Sequence, residues 1–254
     1  MFKHSLVVHR APRAGRETAP PAPRRNLAGL HYRLRRGLQS GQACAAEVIL
    51  HAPDYREMRI DDLRPRTRPE ADAPLARRLR LACADAARWT AGTVSIGCNG
   101  ASSETLPGLV ATVLEETGLD PERLELLFAE RVLAQAEQDL DLVLALSAIR
   151  DLGVGVALDE FGAELGNLAH LRRLPLSGLK LARSMVRALP GDREDAALVK
   201  AVILAARALS LTVVADGIES QSQVAFLSGC GCDDGQGNIF GPPLGAAAMG
   251  GAMV

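Results

Sequence analysis

The sequence predicts an α/β fold: a single (β/α)8 barrel of the TIM type. Short apolar runs alternate with helical stretches over residues 29–254, the pattern of parallel strands covered on both faces. Seven runs, near residues 44, 94, 124, 155, 179, 213 and 237, with an eighth around 31–35, match the strand number of such a barrel. A chain of 254 residues that is 48% apolar is long enough for one large core, and 3% aromatic content makes that core aliphatic. The rival is a doubly wound open sheet. Its phosphate loop is missing, since neither GxGxxG nor GxxxxGK[ST] occurs.

Residues 10–28 are rich in Ala, Pro, Arg and Gly without periodicity. Residues 1–28 are therefore expected to form a flexible basic tail ahead of one barrel domain over 29–254. Residues 43–50 read as a strand, and the polar, Pro-broken stretch 52–72 as a loop. Apolar residues at 75, 79, 82, 86 and 89 give helical spacing over 74–89, with Pro74 suited to the first turn. A strand at 93–96, a helix at 105–117 ended by Gly118 and a strand at 123–128 follow. A long helix is expected over 130–150, with Leu133, Leu140, Leu144 and Ile149 on its packed face. Strands are expected at 154–159, 178–182 and 212–217, and a short last strand near 235–240. Helices are expected at 193–209, capped by Asp192, and at 221–228.

Net charge is −1, but residues 1–90 carry 18 basic and 9 acidic side chains, and residues 91–254 carry 11 and 21. The basic part is read as a tail plus solvated arginines, and nucleic-acid binding is not expected from charge alone. No run reaches 18 apolar residues, so no membrane span is expected, and the N-terminal apolar run is too short for a signal peptide. Five scattered cysteines point to free, mostly buried thiols and a cytoplasmic location.

Barrel strand ends converge on one mouth. There the chain offers Glu47, Asp159, Glu160, Lys180, Asp216, Glu219 and Gln236. Acids after apolar strands can hold a divalent ion on hard oxygens, or can simply cap helices and face water. Lys180 lies inside an apolar run, so it needs a carboxylate partner, with Asp159 or Glu219 in reach.

Three segments resemble the EAL family, bacterial cyclic-di-GMP phosphodiesterase domains. VALDEFG (156–162) is similar to its ALDDFG segment, and LRRLPLSGLKLARSMV (171–186) to its LxxLPxDxxKIDxxFV segment. The stretch 213–244, VVADGIES to GPPL, is similar to its VVAEGVET to PL segment, and order and gaps agree. The resemblance implies a modified (β/α)8 barrel and cleavage of cyclic di-GMP by two Mg²⁺ or Mn²⁺ ions. It makes Glu47, Asp159, Glu160 and Glu219 metal-site acids, Lys180 the holder of the attacking water, and Gln236 the glutamine of QGY.

Other positions depart from the family pattern. Gly97 falls where an Asn ligand is expected, and Leu127 where a Glu ligand is expected; Asn99 and Glu125 lie two residues away from these. His51 replaces a phosphate-contacting Arg, and Arg33 replaces the Gln of YQP. With Gln236, these are the candidate cyclic-di-GMP contacts. Losing two hard ligands leaves a vestigial Mg or Mn site and no competent catalytic set. The expectation is a degenerate, inactive EAL-type regulator without a metal cofactor, working through an unidentified protein partner. The alternatives are a cyclic-di-GMP receptor, and a weak phosphodiesterase drawing on Glu125 or Asn99. A homodimer is implied by resemblance alone.

Overall fold

The structure is a computed structural model describing residues 30–51, 57–58, 68–98, 101–130, 139–163 and 168–254. The expected tail over 1–28 lies outside the described residues, as do Asn99 and Leu133. Strands β1 (His31–Gly37) and β2 (Ala43–His51) are followed by the short β3 (Glu57–Met58), α1 (Arg68–Ala86) and β4 (Thr93–Gly97). Then come α2 (Leu106–Thr117), β5 (Leu124–Ala129), α3 (Leu140–Asp151), β6 (Gly155–Phe161) and α4 (Leu168–Arg173). They lead to β7 (Gly178–Leu181), α5 (Arg183–Val186), α6 (Arg193–Ala208), β8 (Thr212–Ala215) and α7 (Gln221–Gly229). The chain ends with β9 (Asp234–Gln236), β10 (Leu244–Gly245) and α8 (Ala246–Ala252).

Eight strands close the barrel in the order β1-β2-β4-β5-β6-β7-β8-β9 and back to β1. From β2 through β9 every neighbouring pair is parallel, whereas β1 runs antiparallel to both β2 and β9. The link between β1 and β2 explains the reversal. Residues 38–42 are too few for the crossover a parallel pair requires, so they form a hairpin. This reversed strand is what modifies the regular (β/α)8 plan.

Strand alternation separates two environments. Leu124, Leu126 and Phe128 of β5 are buried on the face toward the helices, where Val110 of α2 and Ile149 of α3 are also buried. Tyr32 points outward from β1; its hydroxyl donates to Asp85 Oδ2 at 2.6 Å, and its ring meets Trp89 edge-on at 5.2 Å. The opposite face lines the barrel interior and carries most of the polar side chains discussed below.

The expected caps form. Asp192 accepts from the N–H groups of Glu194 and Asp195, and Gly118 ends α2 at φ 66°. Other expectations are corrected. Pro74 lies inside α1 rather than in its first turn. The packed face of α3 is Leu142, Ala145, Leu146 and Ile149, while Leu140 and Leu144 are exposed. Those two lie i and i+4 apart, as core residues would, but the stripe beside theirs is the one turned to the sheet. The stretch read as a loop, 52–72, contains β3 and the start of α1.

Candidate functional site

The barrel floor is a buried ion pair. Arg35 on β1 donates through Nη2 to Glu125 Oε2 at 2.6 Å and to Ser95 Oγ at 2.7 Å, and the Ser95 hydroxyl donates to the same carboxylate oxygen at 2.6 Å. Register brings them together: Ser95 of β4 lies opposite Glu125 of β5. Gly155 and Gly178, on the next two strands, leave the necessary space. A Cβ at Gly155 would stand 3.4 Å from Glu125 Cβ and Cγ, and one at Gly178 3.6 Å from Glu125 Oε1. Burial opposes the charge on both partners, but each outweighs it for the other: Arg35 holds the Glu125 carboxyl below its ordinary range, and Glu125 keeps the guanidinium protonated.

The second polar group lies at the mouth, formed by the ends of β2, β6, β7, β8 and β9. Lys180 Nζ donates to Glu47 Oε2 at 2.5 Å and lies 3.2 Å from Asp159 Oδ1. Gln236 Nε2 donates to Glu47 Oε2 at 2.6 Å and to Asp216 Oδ1 at 3.1 Å. Asp216 also faces Arg33 Nη1 at 3.9 Å and Arg183 Nη2 at 3.6 Å. Arg33 pairs with Glu47 across the β1–β2 hairpin, so both side chains are on the interior face.

Electrostatics follow from that wiring. Burial penalises the Lys180 ammonium, but Asp159, Glu47 and Asp216 together push its pKa well above the ordinary lysine value. Asp159 is shifted up by burial and by Glu47 and Glu160, a push that Lys180 only partly offsets. Asp216 is only partly exposed yet shifted down, because Lys180, Arg183, the Gln236 amide and Arg33 all favour its charged form against the burial that opposes it. The mouth is thus an alternating array of fixed charges around one buried ammonium.

Of the sequence-predicted residues, Glu47, Asp159, Lys180, Gln236 and Arg33 come together. Lys180 takes Asp159 as expected, but its second carboxylate is Glu47 rather than Glu219. Glu219 is exposed, and its backbone N–H donates to Gln223 Oε1. Glu160 follows Asp159 at φ 55°, where β6 shifts register against β7, and so leaves the alternation of the strand. His51 ends β2. Gly97 ends β4 opposite the buried Leu127, so neither of those two positions supplies a donor side chain. Glu125 is committed to Arg35 at the floor and is no substitute ligand at the mouth.

Arg35, Ser95 and Arg183 were not singled out from sequence. Period-two alternation in HYRLRRG already puts Arg33 and Arg35 on one face, which was the available signal. Among the described residues, no three His, Cys, Asp or Glu side chains form a group able to hold a metal ion. Lys180 is seated between Glu47 and Asp159, so an ion entering there has to compete with its ammonium for both carboxylates.

The EAL domain family profile matches residues 22–243. The bifunctional diguanylate cyclase/cyclic di-GMP phosphodiesterase MucR of Pseudomonas aeruginosa is 38% identical over 145 residues, 56% of this chain and 21% of that protein. The cyclic di-GMP phosphodiesterase NbdA of the same organism is 40% identical over 141 residues, 55% of this chain and 18% of that protein. The chain thus spans about a fifth of the length of these curated relatives.

Among solved structures, the EAL domain of Mycobacterium smegmatis DcpA superposes with a TM-score of 0.75 at 27% identity, covering 89% of this chain and 95% of that one. The MucR phosphodiesterase in complex with c-di-GMP gives 0.71 at 26% identity, covering 87% and 93%. Klebsiella pneumoniae BlrP1, solved with manganese and cyclic-di-GMP, gives 0.72 at 21% identity, covering 90% and 59%; it has also been solved with calcium. The expectation that no metal cofactor belongs here is overturned by the family match together with BlrP1, a protein of the same fold solved with manganese or calcium alongside cyclic-di-GMP.

Proposed function

Because the chain belongs to the EAL domain family, we propose that it is a cyclic-di-GMP-binding domain whose hydrolytic step is lost or strongly slowed. One observation carries this reading. Glu47, Asp159, Lys180 and Gln236 converge at the mouth of the closed barrel, while Gly97 and Leu127 stand where the resemblance expects two further ligands. A mouth of fixed charges with one buried ammonium suits an anionic ligand better than it suits in-line cleavage, which needs the attacking and leaving oxygens clamped together. Lys180 holds its proton too firmly to act as a base near neutral pH.

Calorimetric titration of the purified chain with cyclic di-GMP, with and without Mn²⁺, tests this when hydrolysis is followed in the same samples. An entering ion must compete with Lys180 for Glu47 and Asp159, so both arms are needed. The expected result is saturable binding with negligible turnover. Absence of binding in both arms overturns the binding reading. Turnover that needs Mn²⁺ and disappears in Asp159→Asn overturns the loss of hydrolysis.

A second reading, output through a protein partner, is favoured by leucines exposed on two helices: Leu140 and Leu144 on α3, and Leu198 and Leu204 on α6. A cytoplasmic location is supported by five free cysteines, of which Cys83 and Cys98 have thiol pKa values pushed up by burial to about 12. No helix among the described residues is long and apolar enough to cross a membrane.

A further inference from the structure

We propose that Arg78, a guanidinium set into the packed face of α1, is the base of a recess on the outside of the barrel wall that binds a small oxyanion of the phosphate type. The site is separate from the mouth, whose charged groups line the barrel interior. It therefore does not depend on the cyclic-di-GMP reading.

The pattern of α1 makes this residue stand out. Leu75, Leu79, Ala82, Cys83 and Ala86 are buried at helical spacing, and Arg78 falls inside that stripe, three residues after Leu75 and four before Ala82. Only 8% of Arg78 is exposed, whereas its neighbours Arg77 and Arg80 face solvent. The exposed Arg80 has a carboxylate partner, Glu116 Oε2 at 2.7 Å from its Nε. The buried Arg78 has no carboxylate partner among the described residues. A cation in the packed face of a helix thus lacks what a surface cation on the same helix possesses.

The guanidinium itself spans two environments. Nε is enclosed and has no hydrogen-bond partner, while Nη1 and Nη2 escape that enclosure and keep contact with the surface. The group closest in effect is Cys98, directly after β4, and it is no counter-ion: burial pushes its thiol up to about 12, so it stays protonated at neutral pH. Burial also lowers the pKa of Arg78, against which Cys98 is the one opposing influence. An arginine keeps its proton in a protein, so the cost of burying it is relieved by an anion rather than by neutralisation. The open Nη1 and Nη2 form a planar fork that takes two oxygens of one oxyanion end-on, and the enclosed Nε closes the side-on approach. A spherical halide does not match that fork.

The test is thermal melting of the intact chain in rising sodium phosphate, with chloride and acetate at matched ionic strength as separate arms, for wild type, Arg78→Met and Arg78→Lys. Wild type is expected to gain about 3–6 °C at ten times the phosphate Kd, over and above the chloride arm. Arg78→Met should lose that gain, and Arg78→Lys should keep a smaller one through charge without the fork. In chloride alone Arg78→Met should melt no lower than wild type, because an apolar side chain of similar length replaces a buried, unpaired cation. A readout on wild type alone accompanies the melts: the Arg78 side-chain N–H resonance, assigned by its absence in Arg78→Lys, should shift saturably with phosphate. An equal shift with acetate widens the ligand class to carboxylates and supports the oxyanion site. A phosphate gain of the same size in wild type and Arg78→Met overturns the proposal, as does an Arg78 resonance that phosphate does not move. A drop of more than about 5 °C for Arg78→Met in chloride overturns it as well, since the protein itself would then satisfy the guanidinium.

Discussion

At the scale of single residues, the interior of this barrel is governed by what each buried charge faces. Lys180 lies between Glu47 and Asp159, and removing its ammonium leaves two carboxylates confronting each other in a low-dielectric space. Lys180→Met is expected to destabilise the fold by about 3 kcal/mol, the cost of breaking a buried pair, measured as a lowered denaturant midpoint with unchanged slope. Glu125 predicts a pH dependence. Its carboxyl is held below the ordinary range by Arg35, so the pair's stabilisation is complete above the unfolded value of about 4.3 and is lost as pH falls through the lower folded value. Glu125→Gln leaves the Arg35 guanidinium buried without its counter-ion and should cost about 3 kcal/mol at neutral pH. Acid titration of stability checks the sign: the gap between wild type and variant must narrow below pH 4, and a gap that widens there sinks the assignment. The need of Lys180 for a carboxylate was legible because lysine in an apolar strand has no other remedy. Its choice of Glu47 was not, because that contact joins β7 to β2 across the interior, which no local pattern encodes.

At the scale of elements, alternation was legible and registration was not. The period-two and period-3.6 patterns locate nearly every long strand and helix because burial on one face dictates them. They are silent on which stripe of an evenly apolar helix is turned inward. Leu140, Leu144 and Ile149 satisfied the spacing, yet α3 buries only Ile149 of the three, together with Leu142, Ala145 and Leu146, and leaves Leu140 and Leu144 exposed. Short α4, α5 and α8 carry too few turns to show a period. Glycine positions tell a related story. Gly155 and Gly178 look like weak points in strands, but they clear the volume that Glu125 fills. Gly178→Val is expected to cost about 1–3 kcal/mol by overpacking, since even a Cβ meets Ala157 Cβ and the Thr212 carbonyl at 3.3 Å. Leu144→Ser on the exposed face should change stability by no more than about 0.5 kcal/mol. Parallel urea melts of the two variants compare an interior vacancy that is needed with an exterior leucine that is not.

At the scale of the whole molecule, the uneven charge of the sequence becomes internal complementarity. Arg33 and Arg35 come from the basic first part of the chain and meet Asp216 and Glu125 from the acidic remainder, while Lys180 of the later part meets Glu47 of the earlier. Because β1 closes the ring between β2 and β9, these contacts tie the two ends of the chain into one cooperative unit. A ligand held across the mouth touches strands from both ends and should stabilise the molecule as a whole rather than a single loop. By mass action, cyclic di-GMP at 100 times its Kd adds about 2.7 kcal/mol to the folded state if it does not bind the unfolded chain. For a barrel of this size that corresponds to a rise in Tm of about 5–10 °C. The rise should grow with the logarithm of ligand concentration. A single transition moving upward intact is the expected trace from differential scanning calorimetry. Two transitions, with only one responding to the dinucleotide, would mean that the ends of the chain do not share one folding unit and that the mouth is not closed by β1.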